Sequence, residues 1–354
     1  MLSKQQTIEN RQSFHAKGAP LTACRRLRAT AWDVYKVLRV VTPRQFLRGL
    51  GKRIWPISIL VGWYYRHRFG RKVWTSVNHS AIEAFQQNRP NLNAWQQEAL
   101  DQLTENGIFV SHVQQLTSAS MDMRTLEREV QPLLDDPDFQ RQIRRRESRD
   151  GSRWYFIRAF GLKPRRPLPK NLAMFLLNKE ILDVVNTYLG LWSRMGYADV
   201  MHTLPVSEGE RTTDAQLWHR DHEDVRAVNV YVHIGHVRED NGPLIYARQT
   251  QLGGKCAGDI PARPAYAVVS TDEELSRRVP QENLFLCTGE SGTLVICDAV
   301  GFHRGAWPVH RPRTVLVSRF VSDAAINICR YESPGLRRDE LELAAQYALG
   351  LGPC

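Results

Sequence analysis

From about residue 198 onward the chain breaks into short, β-branched apolar runs divided by Gly, Pro and Asp, and no other feature limits its fold so strongly. The runs cover residues 200–206, 227–234, 244–247, 284–287, 293–297 and 314–321. Each is shorter than an ordinary buried helix, and Val, Ile, Thr and Tyr suit a pleated surface. Many short strands at this spacing predict a sandwich or jelly roll, in which two facing layers bury their inner sides. Upstream the periodicity is helical. Residues 92–105 read as a helix, with Asn93 as N-cap and Asn106-Gly107 as the stop, followed by a strand at 108–110. Residues 121–134 and 171–189 read as two further amphipathic helices. Helices first and strands later predict an α+β layout, a jelly-roll core flanked by helices.

Apolar residues make up 42% of the 354, with nine tryptophans, so the chain can bury a full core and is not disordered. The six cysteines form no C-x-x-C pair, which argues against a structural zinc site and a disulfide framework. Residues 1–10 are polar and lack an apolar signal core. The expected location is therefore the cytoplasm, with peripheral attachment to the inner face of the membrane considered below.

The net charge of +11 is unevenly spread. Residues 1–72 hold sixteen Lys/Arg against only Glu9 and Asp33, a surplus of +14 that leaves the rest of the chain at −3. Within this basic arm the apolar run Ile54-Trp55-Pro56-Ile57-Ser58-Ile59-Leu60-Val61-Gly62-Trp63-Tyr64-Tyr65 is too short to span a bilayer, which takes about 20 residues. Its Trp, Tyr and Arg edges suit an anionic membrane surface, and residues 31–75 are expected to lie on one. A helical lid packed on the core is the alternative. The chain thus divides into a basic amphipathic extension, 1–75, and a catalytic domain, 76–354.

The chemistry concentrates at His219-Arg220-Asp221 and at His303, 84 residues later. Two imidazoles and one carboxylate form the 2-His-1-carboxylate facial triad, which holds Fe(II) on one face and leaves the other open. An isolated H-x-D is a weak signal, but here each element lies beside an expected strand. The neighbours are Gln216-Leu217-Trp218, then Ala227-Val228-Asn229-Val230-Tyr231-Val232 and Asn241-Gly242-Pro243-Leu244. Further on come Gly292-Thr293-Leu294-Val295-Ile296-Cys297-Asp298, His303-Arg304-Gly305 and Arg313-Thr314-Val315-Leu316-Val317.

In this order the segments resemble the phytanoyl-CoA dioxygenase family of Fe(II)/2-oxoglutarate oxygenases, over about residues 92–325. The resemblance implies a double-stranded β-helix, or cupin-like, core with His219, Asp221 and His303 as metal ligands. It implies 2-oxoglutarate as cosubstrate and O2 as oxidant. Arg313 would hold the distal carboxylate of 2-oxoglutarate, with Arg311 as the alternative, and Gln216 would hydrogen-bond the cosubstrate. A guanidinium fork matches a carboxylate and keeps its charge when buried. Related halogenases lack the carboxylate ligand, so Asp221 favours hydroxylation over halogenation, with desaturation or cyclisation as alternatives. Asp224 reads as a structural loop residue, and Gly242-Pro243-Leu244 as a turn and strand start. Many relatives carry a Ser-His pair where this chain has Arg248-Gln249-Thr250-Gln251-Leu252, so no relative's substrate transfers.

The expected substrate is lipid-like, a lipid-linked sugar or a small acid. A second basic area runs through Arg141, Arg144, Arg145, Arg146 and Arg149 to Lys163, Arg165, Arg166 and Lys170, either a solvated face or an anion anchor. No nucleic-acid module accompanies it, so nucleic acid is not an expected partner. A non-catalytic membrane-associated protein on the same fold is the reading from another class. Oligomeric state is not legible.

Overall fold

The computed structural model describes residues 68–117, 122–147, 155–161, 164, 166–206, 214–221, 224–257, 269–270, 272–325 and 328–351. Residues 1–67, and with them the run 54–65, lie outside it.

Helices come first. They are α1 (Arg68–Val77), α2 (His79–Gln87), α3 (Ala94–Asn106), α4 (Met123–Asp135), α5 (Pro137–Glu147), α6 (Lys170–Leu176) and α7 (Lys179–Leu189). Asn93 caps α3 through a capping box with Gln96, and Gly107 ends it at φ 77°, as its sequence signals require. The single helix expected over 171–189 is instead two. Asn178 accepts hydrogen bonds from the backbone N–H of Glu180 and Ile181, so it starts a new helix and does not continue the old one.

The strands are β1 (Ile108–His112), β2 (Phe156–Arg158), β3 (Arg194–Thr203), β4 (Trp218–His219), β5 (Val228–Ile234), β6 (Leu244–Ala247), β7 (Val269–Ser270), β8 (Leu284–Cys287), β9 (Thr293–Asp298), β10 (His303–Gly305) and β11 (Arg313–Val321). Short helices α8 (Asp272–Ser276) and α9 (Leu343–Leu349) complete the chain. The strands form a six-stranded sheet, β1-β9-β5-β11-β3-β2, and a five-stranded sheet, β7-β4-β10-β6-β8, all antiparallel. Consecutive strands from β3 to β6 and from β8 to β11 alternate between the two sheets, which is the jelly-roll winding. The strand expected at 200–206 begins earlier, at Arg194, because its whole length pairs with β11.

Strand alternation assigns each face its task. On the outer face of the larger sheet Val228, Val230, Val232, Leu294, Ile296, Leu316 and Val200 pack against Leu103 of α3 and Ile181, Val184 and Val185 of α7. At about 1.5–3 kcal/mol for each fully buried aliphatic side chain, this layer carries much of the fold's stability. The outer face of the smaller sheet buries Trp218, Ile245 and Phe302 under Leu275 and Val279. With both outer faces covered, the intervening residues turn inward, toward the space between the sheets. Gly242 closes the turn before β6 at φ 74°, and a Cβ there would meet the Ala306 carbonyl and the Pro308 nitrogen at 2.7 Å.

Candidate metal centre

Strand β10 runs antiparallel to β4, with His303 directly opposite His219. The imidazole centroids are 4.3 Å apart and the rings tilt by 53°. Asp221 follows two residues after His219, and its N–H donates to the Ala299 carbonyl at 2.8 Å. One donor atom from each of His219, Asp221 and His303 lies within 4.8 Å of the others. The His303 Nε2 is 3.7 Å from the Asp221 carboxylate.

Backbone carbonyls set the imidazole tautomers. His219 Nδ1 lies 2.8 Å from the Leu217 carbonyl, and His303 Nδ1 lies 2.9 Å from that of Gly301. A carbonyl can only accept, so each Nδ1 carries the hydrogen and each Nε2 keeps its lone pair for a metal. Burial, and then His219, hold the His303 pKa down to about 4 against the opposing pull of Asp221. His303 is therefore neutral at pH 7, the form that ligates. The donor set, two imidazole nitrogens and one carboxylate, fits Fe(II), and a triad of this kind occupies only one face of the ion.

The carboxylate is itself held. The Asp221 Oδ2 accepts from the Arg319 guanidinium and, at 3.2 Å, from the Asn229 amide. Arg319 Nε donates to the Asn229 Oδ1 at 2.8 Å, and its guanidinium lies 4.8 Å from the Tyr197 ring. Arg319 and Asn229 face each other across β11 and β5. These supporting residues escaped the sequence reading, although strand alternation from Arg313 puts Arg319 on the same face.

Arg313 and Arg311 part company. Arg311 is exposed in the turn before β11. Arg313 stands opposite Thr203 and shares its face with Val315, Val317 and Arg319. Burial pushes its pKa down to about 10, partly offset by Tyr231, Cys287 and Tyr155, so it remains charged at pH 7. Its Nε is buried without a partner, and among the described residues no carboxylate pairs with it. Gln216, in a single 3-10 turn ahead of β4, is 2% exposed, and both ends of its amide lack a partner. The His233 Nδ1 and Thr203 Oγ1 are also buried without partners. Buried polar groups are costly unless satisfied, so Thr203, Arg313 and His233, on the adjoining strands β3, β11 and β5, could together receive a polar ligand.

Asp224 ties the ligand loop to the rest of the chain. It accepts from Trp74 Nε1 at 2.7 Å, from Val225 N at 2.7 Å and from Ser322 N at 2.6 Å. His222 lies outside the described residues. Residues 248–252 form a turn with Gln249 at φ 66°. In the second basic area Arg166 pairs with Asp136 at 3.0 Å, Lys170 with Glu340 at 2.8 Å, and Arg141 with Asp138. Arg149, Lys163 and Arg165 lie outside the described residues.

No family model matches the chain, and no curated protein does. Among solved structures it is similar to EctD from S. alaskensis, crystallised with 2-oxoglutarate and 5-hydroxyectoine, at 18% identity over 71% of this chain and 82% of that one, TM-score 0.44. It is also similar to the epimerase SnoN in complex with Fe3+, alpha ketoglutarate and nogalamycin RO, at 14% identity over 69% and 88%, TM-score 0.40. A third is the non-heme alpha ketoglutarate dependent carbocyclase SnoK, at 12% identity over 66% and 85%, TM-score 0.41.

Proposed function

We propose that the chain is an Fe(II)- and 2-oxoglutarate-dependent oxygenase of the phytanoyl-CoA dioxygenase type that hydroxylates an unactivated C–H bond. The observation that carries this reading is a His-Asp-His donor set on the inner side of a jelly roll that also holds a half-buried arginine, Arg313, whose buried Nε has no partner. When bound, iron and 2-oxoglutarate supply the activation of O2 and the oxidising power to break such a bond, with succinate and CO2 released.

The chain's own residues have separable tasks. His219 and His303 present Nε2, with orientation fixed by their Nδ1 hydrogen bonds. Asp221 contributes the anionic ligand, steadied by Arg319 and Asn229. Arg313 offers a charged fork to the distal carboxylate of 2-oxoglutarate, and Gln216 offers an unsatisfied amide. Val295, Val315, Val317 and Tyr231 line the inner faces and exclude water.

Succinate formation from 2-oxoglutarate, over a panel of lipids, lipid-linked sugars and small acids, tests the reading. It should require Fe(II) and O2. Anaerobic dialysis should give one Fe(II) per chain in the wild type and far less in His303→Ala. Full occupancy in that variant, or no binding of 2-oxoglutarate to the iron-loaded protein, overturns the assignment.

A further inference from the structure

We infer that the substrate carries one oxyanion, a carboxylate or phosphate ester, received by Arg158 at the rim of the inner space. The inference rests on the oxygenase reading above and deepens it. It starts from a row of side chains crossing three strands on the inner face of the larger sheet. Arg319 on β11 faces Tyr197 on β3, and Arg158 on β2 reaches the same ring from the other flank. The two guanidiniums lie 4.8 and 4.9 Å from the ring centroid. Cations are attracted to an aromatic face, but two of them around one ring repel each other unless anions flank them.

The flanking anions are Asp221 beside Arg319 and Asp199 beside Arg158. Asp199 has little to spare. It accepts from Arg158 Nε at 2.6 Å and from the backbone N–H groups of Phe160 and Gly161 at 2.9 and 3.0 Å. Arg158 is left half used: its Nη2 is buried with no partner. A guanidinium carries five donors in a fixed fork, and its free edge matches an oxyanion. The Arg158 side chain is 18% exposed on an edge strand, whereas that of Arg319 is 9% exposed and lies deeper, against Asp221. Arg158 is thus more open to an incoming molecule than Arg319.

Charge balance points the same way. Among the described residues the inner faces hold the cations Arg158, Arg313 and Arg319 and the anions Asp199 and Asp221. His233 is held down to about 4 by burial and by Arg313, so it is uncharged at pH 7. The smaller sheet turns Tyr246, Phe285 and Cys287 inward and, among the described residues, adds no Lys, Arg, Asp or Glu there. Fe(II) adds two positive charges and 2-oxoglutarate removes two, which leaves one cation in excess. Uncompensated charge in a low-dielectric interior is costly, so a singly anionic substrate completes the site. Arg313 and Arg158 stand on strands separated by β3, roughly 10 Å apart by strand spacing, enough for two separate anions. Met201 stands opposite Arg158 and packs with Phe156, Val315 and Val317, so the anionic group should sit on an apolar or aromatic body.

The test uses the full chain, loaded anaerobically with Mn(II) and saturating 2-oxoglutarate, and titrated by calorimetry with benzoate and its neutral isostere benzamide. Benzoate should bind at least tenfold more tightly. Arg158→Gln should abolish that preference while Mn(II) and 2-oxoglutarate affinities hold. Arg158→Lys, which keeps the charge beside Asp199, should retain part of it and carries the comparison if the glutamine variant does not fold. Equal affinity for the two probes, or a preference that survives both substitutions, overturns the inference and leaves the oxygenase reading intact. Failure of the wild type to bind Mn(II) and 2-oxoglutarate overturns the oxygenase reading, and this inference with it.

Discussion

Arg311 and Arg313 are chemically identical and two residues apart, but Arg311 is exposed and Arg313 half-buried, which favours Arg313 for the proposed role. Arg313→Ala should weaken 2-oxoglutarate binding by about 2–4 kcal/mol, the scale for removing one partner of a buried charged pair, while Arg311→Ala leaves it unchanged. Calorimetry on the Mn(II)-loaded protein checks both, and the reverse result would reassign the anchor. Arg319 acts at one remove, through Asp221. Arg319→Met should lower metal affinity by roughly 10–100-fold, as is usual for groups that orient ligands. An altered Co(II) absorption spectrum would mark a change in the ligand field that general loss of stability does not produce. His233 supplies a pH signature. Its usual pKa of 6.5 falls to about 4 in the fold, chiefly by burial. Between those values the unfolded chain holds a proton that the folded chain does not. Its contribution is therefore fully present above about pH 6.5 and is lost as pH falls toward 4, by about 3 kcal/mol. Urea unfolding of metal-free His233→Gln across this range should show a decline shallower by about that amount.

At the scale of elements, the site depends on pieces too small to announce themselves. Strand β4 is two residues long, yet its pairing with β10 sets the two ligand histidines face to face. No periodicity can be read over two residues, so its place comes only from its partners. Helix α1 is the second case. It crosses the boundary at residue 75, and Trp74 donates to the buried Asp224, three residues after the ligand Asp221. Asn78, fully buried between α1 and α2, bonds to Ser322 and Ala324 just beyond β11. Trp74→Phe keeps the ring and removes the donor, so it should cost about 1–3 kcal/mol, the scale for a buried acceptor left short. Chemical denaturation measures this directly. A neutral result would show that the hydrogen bond is replaced by water.

At the scale of the whole molecule, charge is divided unevenly along the chain. Residues 1–72 carry the surplus of +14, and among the described residues no helix is long and apolar enough to cross a membrane. Of residues 31–75, the end from Arg68 belongs to α1 and packs on the fold through Trp74; we propose that the part ahead of α1 lies on an anionic membrane surface. Each basic residue there contributes about 1 kcal/mol, within the reach of salt screening, and the apolar run 54–65 adds burial that salt does not remove. Since Trp74 and Asn78 are built into the fold, the comparison should use a chain beginning at Arg68. Full-length protein should sediment with anionic liposomes, more weakly but still measurably at high salt. The shortened chain should stay in solution and keep its metal affinity. Full-length protein that ignores the liposomes would refute the membrane proposal.

Much of this organisation is local and therefore written in the sequence. Asn93 and Gly107 bound α3 because a cap and a left-handed residue act within one turn. The short runs after residue 198 announce strands because alternation needs only a few residues. The order His219, Asp221, His303 and Arg313 names a chemistry because each role demands a side-chain type. Tertiary structure decided what depends on distant partners. The helix break at Asn178, the partial burial of Arg313 against the exposure of Arg311, and the row Asp221, Arg319, Tyr197 and Arg158 all follow from packing. A side chain's charge is fixed by its type, but its desolvation and its neighbours are set by which strands close on it. That is why the candidate metal ligands could be named along the chain, while the proposed place for a substrate anion depends on β2, β3 and β11 standing side by side.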